Sequence, residues 1–237
     1  MSNIISNQPE QQGLGKEDRQ RIVVVLLTYA IGWALIFIGA GTLNYPAAWG
    51  YVVLQTAVFL TAGVYVIRHN PEIIRERGKS KVEKSWDKLF MWIYAPQMIF
   101  MPLVAGLDFR FDWSTVALWL QIVSFVMLVP AFVLPYWVML ENKYLLVTVR
   151  IQEERDHQVC DTGPYRIVRH PMYTGAMMSF FFTPLALGSW WALIPGLIAI
   201  GAMAFRTAME DKTLQEELLG YKEFTQQTKY RLIPGIW

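Results

Sequence analysis

Residues 161–176 read DTGPYRIVRHPMYTGA and stand between two strongly apolar blocks. Arg166, Arg169 and His170 fall close together there, directly before Pro171. Gly163-Pro164 is a turn signal, and Pro171 disfavours helical backbone at His170. The segment Tyr165–Arg169 is therefore a constrained stretch that ends where a helix begins. The free N–H groups of a helix start suit an anion, and the neighbouring cations reinforce that. Arginines at a membrane surface can simply snorkel, and a proline can simply open a helix. Anchoring alone does not require His-Pro-Met-Tyr, Gly-Pro-Tyr and flanking glycines together. A second polar cluster opens at Arg206 and Glu210, which at i, i+4 share one helix face. As an exposed ion pair it would contribute only a few tenths of a kcal/mol, so its interest lies in its position beside the first cluster.

Other candidates carry less. Arg68-His69-Asn70-Pro71 repeats the Arg-His-Pro theme without a second polar cluster and reads as the exit of a span. His69, His157 and His170 have no helical ligand spacing, so no metal site is expected. The single cysteine, Cys160, excludes an intrachain disulfide and has no activating context in sequence. Gln121, inside an apolar block, either lines an interior or pairs between helices.

The elements that position these residues follow from the charge distribution. Of 237 residues 54% are apolar and only 17% charged, against about a quarter charged in soluble domains. No Asp, Glu, Lys or Arg occurs in Ile22–Ile67, Leu89–Leu107, Trp113–Leu140 or Pro171–Phe205. Runs of that length are membrane spans. Ile22–Ile67 would extend about 70 Å as one helix, over twice the hydrocarbon thickness, so it must be two spans turning at Asn44-Tyr45-Pro46. Leu89–Leu107 is one span and Ser114–Leu140 another, bent at Pro130 and Pro135. Pro171–Phe205 divides at Gly188-Ser189 into a tight, shallow hairpin. The expected fold is all-α: a polytopic membrane protein of six transmembrane helices, the last two a short hairpin, with a polar cytoplasmic loop before the hairpin and a C-terminal interfacial helix.

Basic residues support this layout. Of the 21 Lys and Arg, only Arg110 falls on the side opposite the other 20. The positive-inside rule then puts both termini in the cytoplasm. Residues 1–20 are polar, lack signal-peptide character and are expected to be disordered; 21–140 form a four-span region, and 141–237 a catalytic region including the hairpin. Topology accounts for the basic residues, so no nucleic-acid partner is expected. The hairpin brings 141–175 and 206–237 out on one face. Leu214, Leu218, Tyr221 and Phe224 repeat at helical spacing, which predicts an amphipathic helix bent or ended by Gly220. The apolar Leu232–Trp237 is expected to tuck back against protein or lipid.

The string from His157 to Tyr173, followed by an apolar hairpin and Arg206-x-x-x-Glu210-Asp211, resembles the isoprenylcysteine carboxyl methyltransferase family, which is related in its C-terminal half to the phospholipid N-methyltransferases. The resemblance covers about residues 141–237; residues 1–140 match only as spans. It implies S-adenosylmethionine bound at the cytosolic membrane face and methyl transfer to a lipid-attached or hydrophobic acceptor. Carried over by motif, the cofactor would contact Gln152, His157, Gln158, Val159, Cys160, Tyr165, His170, Pro171, Met172, Tyr173 and Glu210. Arg206 would lie by the substrate, and with Glu210 would form the catalytic pair. Spacing upstream of His157 varies in the family, which leaves Arg150 as the alternative to Gln152.

A sulfonium methyl group is already activated, so transfer needs mainly positioning and exclusion of water. A carboxylate acceptor is ionised at neutral pH and needs an orienting cation, which Arg206 offers. An amine acceptor would instead need Glu210 or Asp211 as base; a thiol is a third possibility. The expected activity is carboxyl O-methylation, with phospholipid N-methylation and thiol methylation as alternatives. A sterol-reductase-like enzyme using NADPH and a non-enzymatic membrane scaffold are alternatives of other classes. A prokaryotic source would place the protein in the inner membrane, a eukaryotic one in the endoplasmic reticulum. Oligomeric state has no sequence signal.

Overall fold

A computed structural model describes residues 15–79 and 84–237. The expected disordered N-terminus therefore falls largely outside the described residues, but Lys16–Gln20 differ from it: they form the first turns of a helix. The elements in chain order are α1 (Lys16–Ala40), α2 (Pro46–Val58), a π-helical turn (Phe59–Gly63), α3 (Val64–His69), α4 (Pro71–Lys79), α5 (Ser85–Phe111), α6 (Leu118–Glu141), 3-10 turns at Glu153–Arg155 and Gly163–Arg166, α7 (Pro171–Ala186), α8 (Leu193–Glu217) and α9 (Tyr221–Gln227). No strand occurs among the described residues.

Five helices are long and apolar enough to cross a membrane: α1, the continuous Pro46–His69, α5, α6 and α8. The sixth expected span is α7, which at 16 residues falls short of the about 20 needed for a full crossing. The hairpin is consequently unequal, because α8 runs for 25 residues and carries Arg206 to Glu217 beyond its apolar part. The large apolar side chains of these helices point outward, as lipid-facing surfaces require: Trp92 is 80% exposed and Leu118 70%.

Helix breaks sit where the residues dictate. Gly41 takes a left-handed conformation after α1, and Pro46 opens α2 at its first turn. Gly188, at φ 81, separates α7 from α8. Pro130 and Pro135 lie inside α6, which continues through both. Helices α1 and α5 approach backbone to backbone through glycines: a Cβ on Gly106 would sit 2.1 Å from the Ile36 carbonyl oxygen. Small residues at such crossings let dispersion and packing hold helices together where lipid supplies no hydrophobic drive.

The two ends of the bundle are tied differently. At the Arg110 end, buried Asp108 accepts hydrogen bonds from the Ser114 amide (2.8 Å), the Ser114 hydroxyl (2.6 Å) and the Ser189 hydroxyl. The Tyr45 hydroxyl donates to the Leu187 carbonyl. These contacts join all three connections at that end. Gln121 belongs to the same region, donating to the Val116 carbonyl at 2.9 Å; it is a local cap, not an interhelical pair. At the basic end, Asp18 lies 3.3 Å from Arg75, and Arg21 donates to the Arg75 carbonyl at 2.9 Å. Glu72 pairs with Arg155 at 2.6 Å, and Asn70 donates to the Met139 carbonyl at 3.0 Å. Helix α4 is thereby held against α1, the end of α6 and the 142–170 loop.

Candidate functional site

The loop from α6 to α7 is built by its own polar side chains. Asn142 accepts from the Tyr144 amide (2.9 Å) and donates to the Tyr165 hydroxyl (2.8 Å). Tyr144 donates to the Asp156 carbonyl at 2.7 Å. Gly163 has φ +54, a backbone conformation that favours glycine, and it packs against the Glu141 side chain, 2.7 Å from where a Cβ would stand. His157 stacks at a tilt on Tyr144, 4.5 Å between ring centroids. Burial, with the Arg155 charge second, pulls its imidazole down to about 4, so the ring is neutral near pH 7.

The second structural centre is Asp211, which is fully buried. Arg169 grips it through Nε (2.8 Å) and Nη2 (3.1 Å), and Arg231 through Nε (2.8 Å). Gln215 (2.8 Å) and the Tyr221 hydroxyl (3.1 Å) also donate to it. His170 Nε2 lies 3.2 Å from the same carboxylate. An ionised carboxylate only accepts, so Nε2 carries the proton. Burial first and the Asp211 charge second push the Tyr221 phenol far above its ordinary value, and burial does the same for Tyr165. Both remain neutral hydroxyls.

The C-terminal segment completes this region. The Arg169 and His170 amides donate to the Tyr230 and Arg231 carbonyls, each at 2.9 Å. Arg169 Nη1 donates to the Thr228 (2.9 Å) and Lys229 (2.7 Å) carbonyls. Helix α9 follows Gly220, which takes a left-handed conformation. Leu218, Tyr221 and Phe224 pack into one buried cluster with Val138 and Tyr165. The predicted amphipathic stripe is present, but it faces the protein interior, packed against the loop and α6, and Leu214, Leu218, Tyr221 and Phe224 also border the cavity.

Between these parts lies one cavity of about 350 Å³, in the size range of small-molecule sites, roughly 300–1,000 Å³. His157, Gln158, Val159, Cys160, Tyr165, His170, Pro171, Met172, Tyr173, Arg206 and Glu210 all line it. Glu210 accepts from the Tyr173 hydroxyl and lies 4.0 Å from His170 Nδ1. Its side chain is 21% exposed, which leaves acceptor capacity toward the cavity. Burial raises the Cys160 thiol above its ordinary value, so no thiolate nucleophile forms there.

Four expectations change. Gln152 does not line the cavity: it is fully buried beneath the loop, donating to the Tyr144 carbonyl (2.6 Å) and accepting from Arg155 (2.7 Å). Arg150 does line the cavity. Arg169 lines it too, but its guanidinium is committed to Asp211 and two carbonyls, while Arg166 is exposed. Arg206 does not pair with Glu210: its Nη2 donates to the Val147 carbonyl and lies 3.4 Å from Asp87 of α5. Finally, the engagement of Asp211 by five side chains removes it as a free base.

Sequence reasoning missed the contribution of the first half. Arg77 of α4 and Phe90, Met91 and Tyr94 of α5 line the same cavity. The Arg206 guanidinium carbon lies 4.6 Å from the Phe90 ring centroid and 5.6 Å from that of Tyr173, both within cation–π range. In sequence, Arg77 is one of many basic residues that the positive-inside rule already explains, so nothing marked it.

Residues 117–219 match the family model of the phospholipid methyltransferases. The matched stretch runs from the start of α6 to just beyond α8, and so includes the cavity-lining loop, the hairpin, Arg206 and Glu210. No curated protein matches the chain. The likeness supports a membrane methyltransferase, with S-adenosylmethionine the cofactor such enzymes generally use.

Proposed function

We propose that the protein transfers a methyl group from S-adenosylmethionine to a hydrophobic or lipid-borne acceptor at the cytoplasmic face of its membrane. The observation that carries this reading is the single cavity shared by His170, Tyr173, Glu210 and Arg206 at the basic end of apolar helices. The lining suits the cofactor: Glu210 can accept from its ammonium or ribose groups, the tyrosines and Met172 can pack its adenosine, and the neutral His157–Tyr144 stack adds a flat apolar wall. When bound, the cofactor supplies a methyl group already activated on sulfonium.

What the chain itself does is orient and exclude water. The Asp211 centre fixes His170 through Nε2 and so fixes the helix start it caps. Tyr173 holds the Glu210 carboxylate in one orientation. Arg206, clamped by Asp87 and two aromatic faces, presents charge to the acceptor side. With a carboxylate acceptor no proton need be removed, so these residues would only have to orient the acceptor toward the methyl group the cofactor would supply. This favours carboxyl O-methylation. The family likeness over 117–219 favours a second reading, N-methylation of an aminophospholipid, in which Glu210 would take the amine proton.

Incubation of the purified protein with methyl-labelled cofactor and a lipid extract separates them. Label released as methanol by mild alkali is expected for an ester. Label retained in an alkali-stable aminolipid would replace the carboxyl reading with the amine one, and no labelled lipid or hydrophobic acid at all would remove the methyltransferase proposal.

A further inference from the structure

Two guanidiniums line the cavity, one from α4 and one from α8, and each keeps a buried N–H without a hydrogen-bond partner among the described residues: Arg77 through Nη1 and Arg206 through Nε. Arg206 is only 6% exposed. Its Nη2 is used by Val147 and Asp87, so the unused Nε edge is a distinct donor. Burial lowers the Arg77 guanidinium from its ordinary value, and the like charge of Arg206 adds to this. Two like charges that each leave a buried donor unmet constitute a cost that an oxyanion at both would offset.

The remaining charges around the cavity do not supply that oxyanion. Glu210 accepts from Tyr173, Asp87 lies 3.4 Å from Arg206 Nη2, and Glu154 pairs with Arg150 at 2.5 Å; none of the three hydrogen-bonds Arg206 Nε or Arg77 Nη1. The ligand therefore has to bring it. Guanidiniums suit this role because their planar forks bind carboxylate and phosphate oxygens in pairs. Arg77 also lies outside the stretch that resembles the methyltransferase family, on a helix held in place by the Asp18–Arg75 and Glu72–Arg155 pairs.

We infer that Arg77 and Arg206 form an oxyanion subsite for the acceptor, and that the acceptor carries a carboxylate or a lipid phosphodiester in addition to its hydrophobic part. Arg77 then selects substrate without taking part in methyl transfer. This rests on the reading of the cavity as a methyltransferase site, but its test does not depend on turnover.

The test measures binding of three probes to the full-length protein in detergent: N-oleoylglycine for the carboxylate, dioleoylphosphatidylethanolamine for the phosphodiester, and oleoylethanolamide as an uncharged control. Wild type should hold one or both anionic probes more tightly than the control, and which one identifies the source of the oxyanion. Arg77→Gln should weaken that probe by about tenfold or more while leaving the control unchanged. Arg77→Lys, which keeps charge but loses the fork, should fall between and raise KM for the methylated acceptor with little change in kcat. Cofactor binding and helical circular dichroism, unchanged in both variants, establish that the fold survives. Equal affinity of wild type and both variants for the anionic probes, or equal affinity of wild type for charged and uncharged probes, overturns the subsite. Failure of wild type to bind S-adenosylmethionine, with the probe difference intact, would instead count against the methyltransferase reading alone.

Discussion

At the scale of single residues, the site is organised by a carboxylate that touches no cavity space of its own. Asp211 gathers Arg169, Arg231, His170, Gln215 and Tyr221, and through His170 it sets the imidazole that lies 4.0 Å from Glu210. Adjacent acidic residues thus divide the work: Asp211 is structural and Glu210 lines the cavity. Removing one partner of such a buried network leaves uncompensated charge, which costs about 3–5 kcal/mol. Asp211→Ala should therefore lower the thermal midpoint in detergent strongly and abolish cofactor binding. Glu210→Gln should melt near wild type while losing affinity for cofactor. Equal melting of the two variants would remove the distinction drawn between them.

At the scale of elements, glycines decide how closely helices meet. The Gly39–Gly106 crossing brings α1 onto α5, and α5 carries Phe90, Met91 and Tyr94 to the cavity and Asp87 to Arg206. A Cβ on Gly106 would meet main chain, 2.1 Å from the Ile36 carbonyl and 2.8 Å from the Ala40 amide nitrogen, and main chain has little freedom to give. Gly201, in α8, has nothing within 4 Å of a built Cβ. Gly106→Ala should destabilise by about 1–3 kcal/mol or more through overpacking, whereas Gly201→Ala should be neutral or gain up to about 1 kcal/mol from helix propensity. Chemical unfolding of the two variants side by side checks this, and a well-behaved Gly106→Ala would contradict the close crossing.

At the scale of the whole molecule, the cavity belongs to no single segment. The loop and α7 supply its floor, α8 and α9 one wall, α5 another, and α4 a basic corner. The C-terminal ten residues close it from outside, through the carbonyls of Thr228 to Arg231 and the Arg231–Asp211 pair. Truncation after Gln227 should leave Arg169 without its carbonyl partners and release the loop. Helical circular dichroism should then stay close to the full-length signal while S-adenosylmethionine binding, measured by calorimetry, is lost. Retained binding would show that the tail is dispensable to the site.

Periodicity and charge are local properties of a chain, and what they control was readable directly. Long charge-free runs force helices in lipid, Gly and Pro mark their ends, and the clustering of Arg, His, Pro and Tyr in 161–176 marked a segment that lines the cavity. Partner choice is not local, and only the tertiary structure decided it. Whether Arg206 faces Glu210 four residues away or Asp87 on another helix depends on how α5 and α8 cross. The same holds for Arg169, whose guanidinium is committed to Asp211, for Gln152, buried by its own loop, and for Arg77, brought in by a helix tied to Asp18 and Arg155. A charged side chain takes the partner that best compensates its desolvation, and which partners stand within reach is a property of packing rather than of spacing along the chain.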